Sequence, residues 1–175
     1  MNILIIGHKD HGKDKVGALL AVELDTQYRS SSEFIAERVV FPKLAPLYGY
    51  PTWESCFADR NNHRKEWFDL IRAYNTPDGA RLAKDILAEA TIYVGMRNRE
   101  EFEACREQKL FDVVLWVDAL ARREKESIES MELVEEDADF ILDNNGTLDD
   151  LNYQIRYYAD LFSPVNRERV AQAIL

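Results

Sequence analysis

The chain has 175 residues, close to the ~150 expected of one domain. Its 22 Lys and Arg residues and 32 Asp and Glu residues give a net charge of −10 at pH 7, and 46% of its residues are hydrophobic. The hydrophobic content suffices for a core, so global disorder is not expected. The negative charge disfavours a protein that covers DNA or anionic lipid with a broad basic face, but it leaves room for a small cationic pocket.

The sequence shows no pattern typical of membrane or secreted proteins. No apolar run approaches the ~20 residues that cross a bilayer, and Met1 leads directly into a strand-like segment instead of a signal peptide. Cys56 and Cys105 lie far apart without metal-ligand spacing, as is usual for reduced thiols. We therefore expect a cytoplasmic protein with a single domain over residues 1–175 and no membrane partner.

Four short apolar runs predict strands that are buried on both faces of a parallel sheet. They cover residues 3–6, 91–94, 112–117 and 138–142, and they stop at Gly7, Gly95, Asp118 and Asp143. Apolar residues at helical spacing predict helices over residues 12–24, 33–40, 63–74, 76–87, 98–108 and 147–162. Pro42 is expected to end the second helix, and Thr76-Pro77 to cap and open the fourth.

This alternation of strands and helices predicts the α/β fold class, with three layers in which a central parallel sheet is flanked by helices. In such sheets, ligands bind at the carboxyl ends of the strands. The residues at which the four strands stop should therefore lie along one edge of the sheet and mark the functional site.

The residues after the first strand fit the motif G-x-x-x-x-G-K between a buried strand and a helix, the context that a phosphate-binding loop requires. Glycines let the backbone curl so that N–H groups point inward, and the helix N-terminus adds partial positive charge. Lys13 is expected to reach the β- and γ-phosphates of a nucleotide and to follow the transferred charge. The candidate nucleotide-binding residues are Gly7, His8, Lys9, Asp10, His11, Gly12, Lys13, Asp14 and Lys15.

Asp14 stands where the motif usually has a Ser or Thr whose hydroxyl holds Mg²⁺. Its carboxylate is able to serve as a metal ligand, directly or through water. It is equally able to cap the helix that begins here. The sequence leaves both roles open.

The Gly12-Lys13-Asp14 ending of the loop resembles the phage deoxynucleoside monophosphate kinases, and so does the later stretch ADFILDNNGTL over residues 138–148. That stretch is also similar to dephospho-coenzyme A kinase. Both groups belong to the adenylate-kinase and thymidylate-kinase branch of P-loop kinases, and the likeness covers about residues 1–162. A sister group of phage kinases, which phosphorylate 5-hydroxymethyluracil in DNA, is similar as well.

The resemblance implies a P-loop kinase fold with a small lid over about residues 119–136, and ATP and Mg²⁺ as cofactors. It implies transfer of the γ-phosphoryl group to a nucleotide acceptor in the host cytoplasm, if the protein is phage-encoded. The acceptor is expected to be a free deoxynucleoside monophosphate or, alternatively, the hydroxymethyl base in DNA. Lys15 replaces a Thr that is common in relatives, and Gly95-Met96-Arg97 lacks a strand-end Asp. A non-catalytic nucleotide-binding protein is therefore a further alternative.

Two polar segments are candidate acceptor sites. A serine run follows the first helix, where the related kinases begin the acceptor site, and its hydroxyls suit a phosphate, a sugar or a helix N-cap. Further on, two arginines four residues apart precede a tryptophan, which suits a phosphate beside a stacked base or only a solvated helix start. These candidates are Ser30, Ser31, Ser32, Arg60, Arg64 and Trp67.

Three arginines and an aspartate are candidates for catalysis. Arg97 lies just past a strand end, where the equivalent arginine of the related kinases grips the acceptor phosphate; the alternative is an ion pair with a glutamate at position 100 or 101. Arg122 and Arg123 open a polar stretch that suits either a lid over the transferred group or a solvated charge run. Asp118 is a candidate metal partner, and either Asp10 or Asp118 is the candidate base for an alcohol acceptor.

Asn145 and Gly146 lie where the related kinases contact adenine through backbone atoms, or they form only the turn before a helix that Thr147 caps. The tail over residues 164–175 carries no interpretable motif. We expect it to pack on the domain or to mediate association, as in a homodimer.

Overall fold

The computed structural model describes residues 1–128 and 130–166, together with 172 and 174. Within these ranges, five parallel strands form one sheet in the order β2-β3-β1-β4-β5. From β1 the chain builds β2 and β3 on one side and then crosses to β4 and β5 on the other, so the topological switch point, where α/β sheets bind ligands, lies at β1. The strands are β1 (Ile3–Ile6), β2 (Tyr28–Ser30), β3 (Ile92–Val94), β4 (Val113–Asp118) and β5 (Phe140–Asp143).

Helices cover both faces of the sheet. The α-helices are α1 (Lys13–Glu23), α2 (Ser31–Ile35), α3 (Phe41–Tyr48), α4 (Trp53–Ala58), α5 (Arg64–Tyr74), α6 (Arg81–Leu87), α7 (Arg99–Glu107) and α8 (Leu148–Phe162). A π-helical segment (Ala36–Val40) joins α2 to α3, and 3₁₀ segments lie at Arg60–His63, Glu135–Asp137 and Pro164–Asn166. In the described part of the chain, no helix is both long enough and apolar enough to span a membrane.

The central strand β1 separates two hydrophobic cores, because successive side chains of a strand point to opposite faces. Ile3 and Ile5 pack with α1 and α8 on one face of the sheet. Leu4 and Ile6 pack with residues of α2 to α7 on the other face. Since both faces are covered, the central strands β1 and β3 are apolar and buried along their whole length, as the sequence predicted. The expected α/β fold with a central parallel sheet is confirmed.

Two predictions around the second helix are wrong. Tyr28–Ser30 is an edge strand instead of a loop, because its backbone pairs with β3 in parallel register. The helix that was expected to end near Pro42 continues through the π-helical segment to Tyr48. A proline lacks an N–H, and its ring clashes with the carbonyl four residues earlier in an α-helix. Pro42 lies in the first turn of α3, where the missing N–H is tolerated because it would have no partner within the helix.

The start of α6 also differs from the prediction, since Thr76 does not cap it and the helix begins only at Arg81. Asp78 Oδ1 accepts a hydrogen bond from the amide of Ala80 at 3.0 Å, and Asn75 Oδ1 accepts one from Leu82 at 3.2 Å. These side chains satisfy amides that would otherwise lack partners at the helix start. The cap of α8 by Thr147, in contrast, is confirmed.

A buried carboxyl group links β3 to α7. The hydroxyl of Tyr93, which is fully buried, donates to Glu101 Oε1 at 2.9 Å. Burial raises the pKa of Glu101 to about 7, although the hydrogen bond from Tyr93 opposes this shift. Both cysteines are free and buried, and burial raises the pKa of Cys105 next to Glu101 to about 12.

The wild type is expected to lose stability as the pH rises, and replacing Glu101 by Gln is expected to remove this loss. Folding raises the pKa of Glu101 from 4.5 to about 7, so its contribution to stability is complete below pH 4.5 and is lost as the pH rises through 7. The free energy of unfolding of the wild type should thus fall by about 3 kcal/mol relative to Glu101→Gln between these limits. Urea unfolding at pH 5 and pH 8 measures the difference.

The control for this measurement is Glu107→Gln, which removes an exposed carboxylate from the same helix. It should follow the wild type at both pH values. Parallel pH dependences of the wild type and Glu101→Gln would show that Glu101 is not the titrating group.

Candidate functional site

The carboxyl ends of the strands bring the expected positions together along one edge of the sheet. Gly7 follows β1, residues 95–97 follow β3, and Ser30 ends β2. Asp118 and Asp143 are the last residues of the adjacent strands β4 and β5, and they are paired in register. The sheet therefore places residues from five separate parts of the sequence around the loop after β1.

The loop from Gly7 to Gly12 is clamped between the ends of β4 and β5. Gly7 has φ +141°, and a Cβ there would lie 2.5 Å from the carbonyl oxygen of Val117. Gly12 has φ +91°, and a Cβ there would lie 2.5 Å from Nδ2 of Asn144. Glycine is required at both positions by the backbone conformation and by the close approach of a neighbour.

The side chains of His8 and His11 anchor this loop to the sheet. Their exposed fractions are 3% and 0%, so any contact of these two residues with a nucleotide would come from their backbone, and their assignment to the nucleotide site stays a prediction. His11 Nδ1 accepts a hydrogen bond from the amide of Ala119 at 3.1 Å. The ring of His8 packs edge-on against Trp116, and burial together with the neighbouring His11 lowers the pKa of His8.

Two asparagines after β5 hold the loop and its surroundings in place. Asn144 is buried, and its Nδ2 donates to the carbonyl oxygen of His11 at 2.8 Å. Asn145 Nδ2 donates to Asp118 Oδ2 at 2.8 Å and to Asp143 Oδ1 at 2.7 Å. Its Oδ1 accepts from the amide of Ala121 at 2.8 Å. The sequence indicated a turn here, but it gave no signal that Asn144 supports the loop.

The side chain of Lys13, the first residue of α1, folds back onto the backbone of the loop. Its residue is 8% exposed, and Nζ donates to the carbonyl oxygen of His8 at 2.5 Å. Burial, followed by the positive charge of Arg97, lowers the pKa of Lys13 to about 8. The two cations are thus close enough to repel each other, and a polyanion bound between them would relieve that repulsion.

Arg97 forms an ion pair with Glu126 instead of a glutamate at position 100 or 101. Its Nη1 donates to Glu126 Oε1 at 2.6 Å and to the carbonyl oxygen of Ser130 at 3.2 Å. The other oxygen of Glu126, Oε2, accepts from the backbone amide of Lys9 at 2.5 Å. Nothing in the sequence distinguishes Glu126 from Glu124 in the same charged stretch, so the contact of Glu126 with Arg97 was not predicted.

An open cavity of about 380 Å³ lies against the loop, within the ~300–1,000 Å³ typical of small-ligand sites. An adjoining cavity of about 300 Å³ extends toward Gly146 and the start of α8. The larger cavity is lined by Asp10, Gly12, Lys13, Asp14, Lys15 and Arg123, and the smaller one includes Arg122, Asn144 and Gly146 in its lining.

In the candidate lid over residues 119–136, the two arginines lie in different surroundings. Arg122 Nε donates to the carbonyl oxygen of Asn144 at 2.6 Å, whereas Arg123 lines the larger cavity. Asp118 accepts bonds on both oxygens, from Asn145 Nδ2 and from the amide of Leu120 at 3.1 Å. Asp118 therefore holds two turns in position, the one after β4 at Leu120 and the one after β5 at Asn145.

Asp14 fits a metal partner better than a helix cap. Gly12 is the N-cap of α1, without a side-chain cap bond. Asp14 is exposed, lines the larger cavity and raises the pKa of Lys13 against the effect of burial. Within the described ranges, no group of three His, Cys, Asp or Glu residues is arranged to hold a metal ion. Mg²⁺ needs no such cage, since it is often bound by one or two carboxylates and the phosphates of a substrate.

The serine run lies beside the end of β3. Ser30 is buried, and its Oγ lies 3.0 Å from Oγ of Ser32. Ser31 Oγ would lie 3.0 Å from a Cβ at Gly95, so the two segments are in contact. Neither serine after residue 30 caps α2, whose N-cap is Ser30 without a side-chain cap bond.

The segment with Arg60, Arg64 and Trp67 is engaged in its own packing. Trp67 is 7% exposed and its ring lies 6.0 Å from that of Phe57, which corrects the prediction that it offers a face to a base. Arg60 lies over the Phe57 ring at 4.2 Å and donates to the Phe57 carbonyl at 2.9 Å. Arg64 begins α5 and donates to Asn61 Oδ1 at 3.1 Å.

No family model and no curated protein matches the sequence. Shikimate kinase from Aquifex aeolicus superimposes with a TM-score of 0.51 at 18% identity, over 92% of this chain and 97% of that chain. The chain has a P-loop kinase fold. An unliganded sugar kinase from Janibacter sp. HTCC2649 aligns with a TM-score of 0.44 and 17% identity, over 99% of this chain and 96% of that chain. The resemblance to the phage deoxynucleoside monophosphate kinases stays a prediction.

Gly12→Ala is expected to destabilise the protein more than Gly49→Ala. Both glycines have positive φ, +91° and +74°, so both variants carry backbone strain of about 1 kcal/mol. Only Gly12→Ala also drives a methyl group into Asn144, while a Cβ at Gly49 meets nothing within 4 Å. Breaking the buried Asn144 hydrogen bond should add about 1–3 kcal/mol, measured by urea unfolding. Equal losses of unfolding free energy in the two variants would contradict the close contact between Gly12 and Asn144.

Proposed function

We propose that the protein is an ATP-dependent phosphotransferase that moves the γ-phosphoryl group to a nucleotide acceptor, preferably a deoxynucleoside monophosphate. The observation that carries this proposal is the pair of cations at the switch point of a P-loop kinase fold, Lys13 at the end of the loop after β1 and Arg97 just after β3. Burial, followed by the charge of Arg97, lowers the pKa of Lys13 to about 8. A site with this excess of positive charge favours the triphosphate of a nucleotide.

The donor nucleotide would occupy the cavity at the start of α1. The helix N-terminus and the curled backbone offer N–H groups to its phosphates. Lys13 would exchange its bond to the His8 carbonyl for the phosphates, and their negative charge would raise its pKa again. Asp14 is the residue that would hold Mg²⁺, which neutralises charge on the β- and γ-phosphate oxygens when it is bound.

Arg97 is the residue we assign to the acceptor phosphate. It follows Gly95, which Ser31 contacts, and it is linked to the loop through Glu126, which supports a role in holding a second anion beside the donor. An acceptor phosphate is already anionic, so positioning and charge neutralisation suffice without a dedicated base. Arg123, which lines the donor cavity, is the arginine of the lid we assign to the transferred charge.

The distribution of charge favours a free nucleotide over a base in DNA. The availability of a base for an alcohol acceptor does not decide between them, because Asp118 accepts hydrogen bonds from Asn145 and Leu120 whereas Asp10 is exposed in the lining of the cavity; the charges decide. A groove for DNA needs unpaired cations, but Arg29 pairs with Glu37 and Glu89. With a net charge of −10 over the chain, the remaining cations support a pocket for phosphates better than a surface for a duplex.

Lys13→Met should lower phosphoryl transfer by about 10²–10³-fold or more, because the charge that follows the transferred group is lost. The side chain of Met fills a similar volume, so the urea unfolding midpoint should change little. Lys43→Met, at an exposed position of α3, is the matched control and should keep full activity. Retained transfer in Lys13→Met would overturn the assignment of the loop.

The acceptor is tested with ATP labelled at the γ-phosphate. It is offered in parallel to the four deoxynucleoside monophosphates, to duplex DNA containing 5-hydroxymethyluracil, and to shikimate, the alcohol named by the structural neighbour. We expect label on at least one monophosphate. Label only on the DNA or on shikimate would replace the acceptor that we propose. ATP binding without transfer to any acceptor would indicate a non-catalytic nucleotide-binding protein.

A further inference from the structure

One carboxylate already lies in the anion-binding part of the loop. Glu126 Oε2 accepts from the backbone amide of Lys9 at 2.5 Å, and Oε1 accepts from Arg97 Nη1 at 2.6 Å. The side chain of Glu126 is only 15% exposed. A backbone amide of the loop and an arginine are the donors that a phosphate would use here.

The environment keeps this carboxylate charged. Burial by itself would raise the pKa of Glu126, but the hydrogen bonds from Arg97 and Lys9 and the charge of Lys13 together lower it. Glu126 is therefore an anion that competes with any phosphate for the same donors. It is covalently attached through the chain, so it is present at high effective concentration.

The carboxylate covers only one end of the loop. Lys9 and Arg97 do not line the open cavity, which begins at Asp10 and extends to Lys15 and Arg123. Two phosphates of a nucleotide can therefore fill the open cavity at the start of α1 while Glu126 stays in place. A third phosphate, directed toward Arg97, would meet the carboxylate.

We propose that Glu126 is a specificity-determining residue that occupies the position of the terminal phosphoryl group, so that a nucleoside triphosphate must displace it and a nucleoside diphosphate need not. This inference rests on the proposed function, because it assumes that the loop binds a nucleotide. It goes beyond that function in assigning Glu126 control over the ratio of triphosphate to diphosphate affinity. It also couples the two substrates, since displacement of Glu126 frees Arg97 for the acceptor.

The experiment compares the wild type, Glu126→Gln and Glu124→Gln by calorimetric titration with ADP and with a non-hydrolysable ATP analogue. Glu124→Gln removes the same charge at an exposed position two residues away and serves as the matched control. In Glu126→Gln, the affinity for the ATP analogue should increase about tenfold, as expected for losing a competing charge-assisted hydrogen bond. The affinity for ADP should change less than about twofold. Circular dichroism verifies that each variant is folded.

Each other outcome overturns the assignment in a recognisable way. An equal gain for ADP and the ATP analogue, or the same gain in Glu124→Gln, would mean that only the net charge matters. A weaker affinity for the ATP analogue in Glu126→Gln would make Glu126 a ligand of the nucleotide or its metal ion. Absence of binding of both nucleotides to all three proteins would overturn the proposed function together with this inference.

Discussion

The loop between β1 and α1 holds its shape because residues at the ends of β4 and β5 pack closely against it. The carbonyl of Val117 at the end of β4 leaves no space for a side chain at Gly7, and Asn144 after β5 leaves none at Gly12. His11 completes the clamp, since its ring accepts the amide of Ala119 and its carbonyl accepts Nδ2 of Asn144. The start of α1, the position of Lys13 and the open cavity all depend on this close packing, in which Asn144 Nδ2 and His11 Nδ1 are paired across elements while His11 Nε2 and His8 Nδ1 are buried without a partner among the described residues.

The site carries a cluster of positive charges although the chain as a whole is acidic. The net charge is −10, yet burial and the positive charge of Arg97 lower the pKa of Lys13 to about 8. Glu126 supplies one negative charge between them in the absence of ligand. A small cationic pocket in an acidic shell is suited to a few phosphates and poorly suited to a polymer, because the surrounding charge repels a long polyanion.

Much of the sheet and the loop could be predicted, because the signals are local. The wholly apolar run of β1 followed by Gly7, and the capping box at Thr147, depend on residues that are adjacent in the sequence. Predictions failed where a distant contact overrides the local preference. Tyr28–Ser30 becomes a strand because β3 pairs with it. Trp67 is buried because it packs in the same core as Leu4 and Ile6 of β1. The helix α4 carried no amphipathic pattern long enough to be recognised.

The sequence by itself determined the α/β alternation, the position of the loop and the identity of Lys13, since periodicity and turn chemistry act over a few residues. Only the tertiary structure decided how the polar residues are used. It buries His8 and His11 as anchors, engages Asp118 in positioning turns, and brings Glu126 to Lys9 across 117 residues. Such pairings follow from the order of strands in the sheet, which sets the distances between loops and leaves no periodic trace in the chain.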